Sequence, residues 1–299
     1  MKINFTKMQG CGNDYVYIDG GSEKISQDKK SKLAIRVSDR HFGIGSDGLI
    51  FINPVEDPDV DFEMEMYNAD GSRSEMCGNG IRCVAKFVYD KGLTDKKKLT
   101  IVSAGKNKYI DLTVDENNLV SSVKVDMGGP ILEAAEVPVA VPDSCITASD
   151  IYGNHVIVAP IEVAGITWNM TCVSMGNPHA VVFLPEDMDL ETFDIEHFGP
   201  LFENHEYFPR RINTEFVKID DRNNVHMRVW ERGTGETLAC GTGCCATVTA
   251  CILNGLTAKK VTVHVLVGDI TCSWNGEKDS PVIMEGPATT VFEGVIEIY

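Results

Sequence analysis

Two short segments, one in each half of the chain, repeat a pattern built around a cysteine. Residues 77–80 read CGNG, and residues 240–243 read CGTG. Each segment is followed by an apolar run at helical spacing, and both runs end in Gly-Leu at the same distance, at residues 92–93 and 255–256. The repeat predicts a duplicated unit with one cysteine at the start of a helix in each half.

Two thiols placed in this way could remove a proton from one face of a carbon atom and return it to the other. Removal of the α-proton of an amino acid leaves a carbanion, so the reaction needs a base, an acid opposite it and a site for the growing charge. A thiol suits both proton roles because its unperturbed pKa is ~8.5. The residue types therefore predict a racemase or epimerase in which Cys77 and Cys240 face each other across a cleft.

The residues after each cysteine indicate how that charge would be stabilised. Glycines let backbone N–H groups approach a ligand closely, and Asn79 and Thr242 are residue types that cap helix N-termini. A helix N-terminus attracts a carboxylate and also favours the thiolate form of a nearby cysteine. We therefore expect both helix starts to point at the substrate carboxylate and to favour the thiolate of the cysteine that acts as base.

The composition is that of a globular protein and fits two domains. The chain has 299 residues, of which 43% are hydrophobic and 24% charged, and its formal net charge is −17. That charge opposes binding to nucleic acid and to anionic lipid. No apolar run reaches the ~18 residues of a membrane span, and the N-terminal residues lack a signal-peptide pattern. We expect a cytoplasmic protein without nucleic-acid or membrane partners.

The cysteine content raises an alternative from another functional class. The chain has ten cysteines, but it contains no C-x2-C pair and no secretory signal, which disfavours zinc and disulfides. We expect no metal site, and we expect Cys83 and Cys251, within the helical runs, to be buried in the core. A thiol-rich metal-binding or redox protein that uses Cys240, Cys244 and Cys245 remains the alternative.

The patterning predicts the main elements around the two cysteines. Helices are expected at 80–91 and 243–254. The Gly-Gly-Pro at 128–130 is expected to separate two domains. A strand is expected near 154–159, and the preceding segment 142–153, which has no counterpart in the first half, is expected to be an extra loop.

Several motifs, in this order along the chain, resemble those of the diaminopimelate epimerase family. They are GCGND at 10–14, RHFGIG at 40–45, NADGS at 68–72, CGNGIRC at 77–83, SMGNPH at 174–179, and ERG followed by ACGTG between 231 and 243. The resemblance implies a cofactor-independent isomerase that interconverts LL-2,6-diaminopimelate and meso-diaminopimelate, in the synthesis of lysine and peptidoglycan precursors. It also implies a homodimer.

The same resemblance implies the fold. It predicts an α+β protein of two pseudo-symmetric domains, each a curled, mostly antiparallel sheet around a central helix, with the active site in the cleft between them. The final strand is expected to return to the first domain. The domains are therefore predicted to be 1–126 completed by 290–299, and 127–289.

Carried over position by position, the resemblance assigns Cys77 and Cys240 as the acid–base pair, with Cys240 taking the proton from the LL-isomer. His179 and Glu231 match positions that adjust the pKa of the thiols. The substrate-binding positions are Asn13, Asn68, Gly78, Asn79, Asn177, Asn213, Glu231, Arg232, Gly241 and Thr242. Gly48 departs from the family, because some members carry a glutamine there that contacts the substrate.

Simpler interpretations of these residues stay open. Three of the asparagines lie beside turn residues, where asparagine is common, namely Asn13, Asn68 and Asn177. Glu231 and Arg232 could form a surface ion pair, and His179 could be a core histidine. A racemase of the same fold acting on histidine, proline or hydroxyproline is the nearest functional alternative. The combination of Asn68, Asn213, Glu231 and Arg232 favours a substrate with a second amino-acid end.

Overall fold

The computed structural model describes residues 2–74 and 78–298, so Cys77 lies outside the described residues. The elements in chain order are β1 (Lys2–Gly10), β2 (Asn13–Asp19), α1 (Gln27–Ser38), β3 (Gly48–Pro54), β4 (Phe62–Asn68), β5 (Arg73–Ser74), α2 (Gly78–Asp90), β6 (Lys98–Ser103), β7 (Lys106–Val114), β8 (Val120–Asp126), β9 (Thr147–Ser149), β10 (Gly153–His155), β11 (Ala159–Val163), β12 (Ile166–Ser174), β13 (Pro178–Phe183), α3 (Ile195–Glu203), β14 (Asn213–Ile219), β15 (Asn224–Glu231), β16 (Gly235–Thr237), α4 (Gly241–Leu253), β17 (Lys260–Val265), β18 (Gly268–Ser273), β19 (Ile283–Gly286) and β20 (Thr289–Glu297).

The chain forms two compact units. The first unit consists of Met1–Asp126 together with Glu285–Tyr299, and the second unit is Met127–Met284. The final strand belongs to the first unit because β20 pairs antiparallel with β1. Among the described residues, no helix is long and apolar enough to span a membrane.

The two units repeat one order of strand pairing, as the duplicated sequence pattern predicts. In the first unit β2 is parallel to β3, β3 antiparallel to β4, β4 parallel to β6 and β6 antiparallel to β7. In the second unit β13, β14, β15, β17 and β18 follow the same alternation. The predicted α+β class with two pseudo-symmetric halves is confirmed.

One helix in each unit is almost entirely buried. In α4, Thr242 is the one residue between Gly241 and Cys251 that is not buried. The helix contacts β12, β13, β14, β17 and β18 of its own unit. A helix that is apolar on all sides is typical of the centre of a core. As expected, Cys83 in α2 and Cys251 in α4 are both fully buried.

Both central helices end in the same way. Gly92 and Gly255 have φ angles of 70° and 68°, the left-handed conformation that glycine adopts without steric cost. In each case the N–H of the following leucine donates to a carbonyl five residues earlier, at 2.9 Å in α2 and 3.0 Å in α4. The Gly-Leu pairs found in the sequence are thus the C-terminal caps of equivalent helices.

Three local expectations need correction. The helices begin at Gly78 and Gly241, two residues before the predicted starts, because the glycines taken for loops form the first helical turn. The segment 142–153 is not a plain loop, since β9 pairs with β10. The predicted strand 154–159 is divided between β10 and β11, and Val158, which lies between them, has a positive φ of 54°.

The carboxylate of Glu65 fastens α1 to the sheet of the first unit. Glu65 is 4% exposed, and it accepts hydrogen bonds from Lys30 and Gln27 of α1 and from the hydroxyl of Tyr67. Burial by itself opposes ionisation of Glu65, but these hydrogen bonds outweigh it and lower the pKa to about 2 from the ordinary value of 4.5.

Glu65→Gln is therefore expected to lower the free energy of unfolding at neutral pH by about 3 kcal/mol, because it leaves the Lys30 charge buried without its counter-charge. The folded-state pKa is depressed, so this contribution is fully present above the unfolded pKa and is lost as the pH falls through about 2. Urea unfolding at neutral and acidic pH measures it. The exposed Glu56→Gln is the control, and an equal effect of the two changes would contradict the prediction.

Candidate active site

Cys240 lies at the N-terminus of the central helix of the second unit. It is the N-cap of α4, in extended conformation with φ −118° and ψ 111°, and it is 6% exposed. Its carbonyl accepts the N–H of Cys244 at 2.9 Å. The Sγ atom lies 3.4 Å from the hydroxyl oxygen of Thr242. The expectation that Thr242 itself caps the helix is wrong, because Gly241 and Thr242 already form the first turn.

Glu231 faces the same thiol from the end of β15. Its carboxylate accepts a hydrogen bond from the Thr237 hydroxyl at 2.5 Å, across the turn between β15 and β16. Burial is the largest influence on the pKa of Glu231 and raises it above the ordinary value. A hydrogen bond with Cys240 acts in the opposite direction and is outweighed. Glu231 and the Cys240 thiol are therefore neighbours in the second unit, and the role of Glu231 in adjusting the thiol pKa stays a prediction.

His179 forms a second link, which runs through a residue that the sequence analysis missed. Nδ1 of His179 lies 2.7 Å from Oε1 of Glu215, and Nε2 lies 3.0 Å from Oδ1 of Asn177. His179 and Glu215 have no exposed surface. The sequence signal that could have identified Glu215 is its position, because it lies two residues after Asn213 in a strand and so on the same face of β14.

The environment of Cys240 overturns the expectation that the helix N-terminus favours its thiolate. Burial raises the pKa of the Cys240 thiol well above its ordinary value, and the negative charges of Glu231 and Glu215 raise it further. The Thr242 hydroxyl and the N–H of Gly243 act in the opposite direction and are outweighed. Burial and the two carboxylates therefore oppose ionisation of the Cys240 thiol in the second unit.

Asn213 and Arg232 lie together beside this group. The N–H of Arg232 donates to Oδ1 of the buried Asn213 at 2.8 Å, and Nη1 of Arg232 donates to the carbonyl of Arg210 at 2.9 Å. Within the described residues, Glu231 and Arg232 do not form the surface ion pair that was the simpler interpretation. Glu231 contacts Thr237 and Cys240, while the guanidinium of the half-buried Arg232 donates to the carbonyl of Arg210.

In the first unit, Asp47 joins the two predicted asparagines. Its carboxylate accepts from Nδ2 of Asn13 at 2.7 Å, and its carbonyl accepts from the N–H of Ala69, the residue after Asn68. The side chain of Asn68 donates to the Ser72 hydroxyl at 3.0 Å. The loop residue Asp47 thus positions a pair that the sequence analysis treated separately.

The predicted carboxylate-binding positions of the first unit lie at the start of α2. Gly78 is the first residue of that helix, Asn79 is buried within its first turn, and neither begins a loop. Cys77, which precedes them in the sequence, lies outside the described residues. The two helices are therefore equivalent from their first residues, Gly78 and Gly241, to the glycines that end them.

Gly48 has a steric reason to be glycine. A Cβ atom at this position would lie 2.2 Å from the carbonyl oxygen of Tyr67 and 2.9 Å from the ring of Tyr15. No side chain fits there without movement of the backbone. The substrate contact that a glutamine makes in some family members therefore cannot come from a side chain at residue 48 in this structure.

The cysteines near the start of α4 give no support to the alternative of a metal-binding or redox protein. Cys244 and Cys245 are completely buried inside α4, where Cys245 contacts Cys272 at a sulfur–sulfur distance of 3.8 Å. In the part of the chain that the structure describes, the one group with metal-ligand spacing is Asp220, His226 and His264. That group lies near the opposite end of the β14–β15 pair from Asn213 and Glu231.

Solved structures share this fold over essentially the whole chain. A phenazine biosynthesis protein of the PhzF family from Bacillus anthracis is 17% identical, with a TM-score of 0.67, and the match covers 100% of both chains. A hydroxyproline epimerase from Agrobacterium vitis is 13% identical, with a TM-score of 0.63 over 99% of this chain and 91% of that one. This two-unit α+β chain therefore shares its fold with these structures.

Sequence comparison identifies one family among the proteins that share this fold. The sequence profile of diaminopimelate epimerase matches residues 5–133 and 171–291, and the chain belongs to that family. A diaminopimelate epimerase from Agathobacter rectalis is 55% identical over 99% of this chain and 100% of its own length. A diaminopimelate epimerase from Methanococcus maripaludis is 52% identical with the same coverage.

Proposed function

We propose that this protein is an isomerase that interconverts LL-2,6-diaminopimelate and meso-diaminopimelate. The observation that carries the proposal is the buried thiol of Cys240 at the N-terminus of α4, surrounded by Glu231, Glu215 and Thr242. Membership of the diaminopimelate epimerase family gives the substrate. The product serves the synthesis of lysine and peptidoglycan precursors.

We propose a two-base mechanism in which each thiol serves one face of the α-carbon. In the LL-to-meso direction the Cys240 thiolate takes the α-proton, and the C–H electron pair passes into the substrate carboxylate to form an enediolate. The thiol of Cys77 then protonates the opposite face and becomes the thiolate. In the reverse direction the two residues exchange roles, so the protons balance and no external acid or base is consumed.

The charge that develops on the carboxylate would be stabilised by backbone N–H groups. Gly241 and Thr242 lie in the first turn of α4, and Gly78 and Asn79 occupy the same place in α2. These donors point along the helix axis toward the N-terminal end. They stabilise the transition state more than the substrate, because the negative charge is larger there.

The distal end of the substrate would be held by groups that surround Asn213. Arg232 is suited to pair with the distal carboxylate through two parallel hydrogen bonds, and Glu231 to accept from the distal ammonium. Asn13, Asn68 and Asn177 supply further amide contacts in this proposal. An ammonium next to Glu231 would also offset one of the charges that raise the pKa of Cys240 and would ready that thiol to act as base.

The decisive experiment is proton exchange in D2O. The purified enzyme, without added pyridoxal phosphate, is incubated with LL-diaminopimelate, and the product is examined by NMR and mass spectrometry. We expect deuterium at one α-carbon and formation of the meso-isomer. Exchange with proline, hydroxyproline or histidine, but not with diaminopimelate, would instead favour a racemase of the same fold. Loss of activity on dialysis against hydroxylamine would contradict a mechanism without cofactor.

We also propose that the enzyme is a cytoplasmic homodimer. The support for a dimer is a run of exposed apolar side chains on β20, where Val291, Phe292 and Val295 are 54%, 46% and 60% exposed. Light scattering at the exit of a gel-filtration column measures the mass directly. A monomer at all concentrations tested would contradict this part of the proposal.

A further inference from the structure

Glu215 is a charged residue placed where a charge is costly. Its carboxylate has no exposed surface, and it lies in the central strand β14 of the second unit. Burying an ionised carboxylate is unfavourable unless hydrogen bonds and nearby charges compensate. Oε1 accepts from Nδ1–H of His179 at 2.7 Å, whereas Oε2 has no hydrogen-bond partner among the described residues. Such an incompletely satisfied group indicates a purpose other than stability.

The carboxylate of Glu215 and the thiol of Cys240 both lie close to Gly243 in the first turn of α4. A Cβ atom at Gly243 would be 2.7 Å from Oε1 of Glu215 and 3.4 Å from Sγ of Cys240. The absence of a side chain at Gly243 lets both groups approach the first turn of the helix. The two groups are therefore neighbours, and the negative charge of Glu215 acts on the thiol directly.

His179 is held at both ends by this arrangement. The Glu215 carboxylate accepts a hydrogen bond from Nδ1 of His179, which requires a proton on that nitrogen. Nε2 of His179 lies 3.0 Å from Oδ1 of Asn177. A carboxylate in this position fixes both the orientation and the tautomer of an imidazole ring. The ionisable groups that face Glu215 are His179 from β13, Glu231 from β15 and Cys240 from α4.

We propose that Glu215 is a positioning residue of the active site, which orients the His179 ring and places a fixed negative charge beside the Cys240 thiol. The consequence is that the resting enzyme presents Cys240 as S–H, the form that donates a proton in the meso-to-LL direction. This role rests on the proposed function for its meaning in catalysis. Its effect on the thiol can be measured without any substrate.

The test is the pH dependence of Cys240 alkylation by iodoacetamide, followed on the Cys240 peptide by mass spectrometry in the intact protein. Only the thiolate reacts, so the midpoint reports the proton affinity of the sulfur. Glu215→Gln keeps the shape of the side chain and removes its charge. We expect its midpoint to move to lower pH and the reaction near neutral pH to be about tenfold faster than in the wild type.

Two further variants separate charge from structure. Glu215→Asp keeps the charge and is expected to retain a midpoint close to that of the wild type. Glu65→Gln makes the same change at a buried carboxylate of the first unit and is expected to leave the Cys240 midpoint unchanged. If Glu215→Gln does not fold, Gly243→Ala addresses the same contact, because the added methyl group must displace the carboxylate from the thiol, and its midpoint should also fall.

Catalysis provides the second measurement. In Glu215→Gln the alkaline limb of kcat/KM for meso-diaminopimelate is expected to move to lower pH, with KM little changed, because Glu215 does not contact the substrate in this proposal. An unchanged alkylation midpoint in a folded Glu215→Gln variant would overturn the positioning role even if activity fell. Absence of deuterium exchange in the wild type, with a shifted midpoint in the variant, would overturn the proposed reaction and leave the effect of Glu215 on the thiol established.

Discussion

Cys240→Ala is expected to reduce epimerisation in both directions by about 10³-fold or more while the protein remains folded. The thiol is the group that would take the proton in one direction and return it in the other, and alanine can do neither. Because the side chain is small and lies at the N-cap of α4, its loss disturbs little packing. Circular dichroism and the thermal midpoint measure the fold, and a stopped assay of the two isomers measures activity.

Cys244→Ala is the matched control for this change. Cys244 lies one turn further along the same helix and is completely buried, but it faces the core. We expect it to keep most of the activity and to lose about 1 kcal/mol of stability through the cavity it leaves. The proposed mechanism requires Cys77→Ala to behave like Cys240→Ala. Substantial activity in either active-site variant would exclude the two-thiol mechanism.

Arg232→Ala is expected to lower kcat/KM for diaminopimelate by about 10²-fold, mainly through an increase in KM. The proposed role of the guanidinium is to hold the distal carboxylate, far from the carbon that reacts, so binding suffers more than chemistry. Arg232→Lys keeps the charge and loses the two parallel hydrogen bonds, and an intermediate loss is expected. Steady-state kinetics at a fixed pH measures all three proteins.

Arg211→Ala is the control for the removal of a guanidinium from another loop, the one between α3 and β14. The side chain of Arg211 is 53% exposed and pairs with the buried Glu203 at 2.8 Å. Glu203 would keep the hydrogen bonds donated by Nε1 of Trp230 and by the N–H of Gly233, which limits the cost of removing Arg211. We expect its KM to remain close to that of the wild type. If Arg211→Ala and Arg232→Ala raised KM equally, the loss of any guanidinium in this region would explain the effect, and Arg232 would have no specific place in the distal site.

The duplicated features were the part of the fold that could be predicted from the sequence. The cysteine motifs, the apolar runs and the Gly-Leu pairs are local signals, because a helix and its caps depend on residues near one another in the chain. They located α2 and α4 to within a few residues. The hairpin of β9 and β10 was not predicted, because its strands are three residues each and carry no clear alternation.

The surroundings of Cys240 could be predicted only in part. Glu231 and His179 were identified through the family motifs, but Glu215 lies in no such motif, and its contact with His179 depends on the parallel pairing of β13 with β14. The expected thiolate was wrong for a related reason. A helix N-terminus can be read from the sequence, whereas the depth of burial and two carboxylates from different strands become visible only in the folded unit.

The pairing of β20 with β1 has a consequence for synthesis on the ribosome. The first strand of the chain has β2 on one side and, on the other, a partner that is translated last. The second unit, Met127–Met284, is complete in the nascent chain before that partner has been made. Until β20 has been made, the outer edge of β1 is open, and an open sheet edge can pair with neighbouring polypeptides. The sheet of the first unit can therefore be completed only after the second unit has been synthesised, even though most of its residues leave the ribosome first.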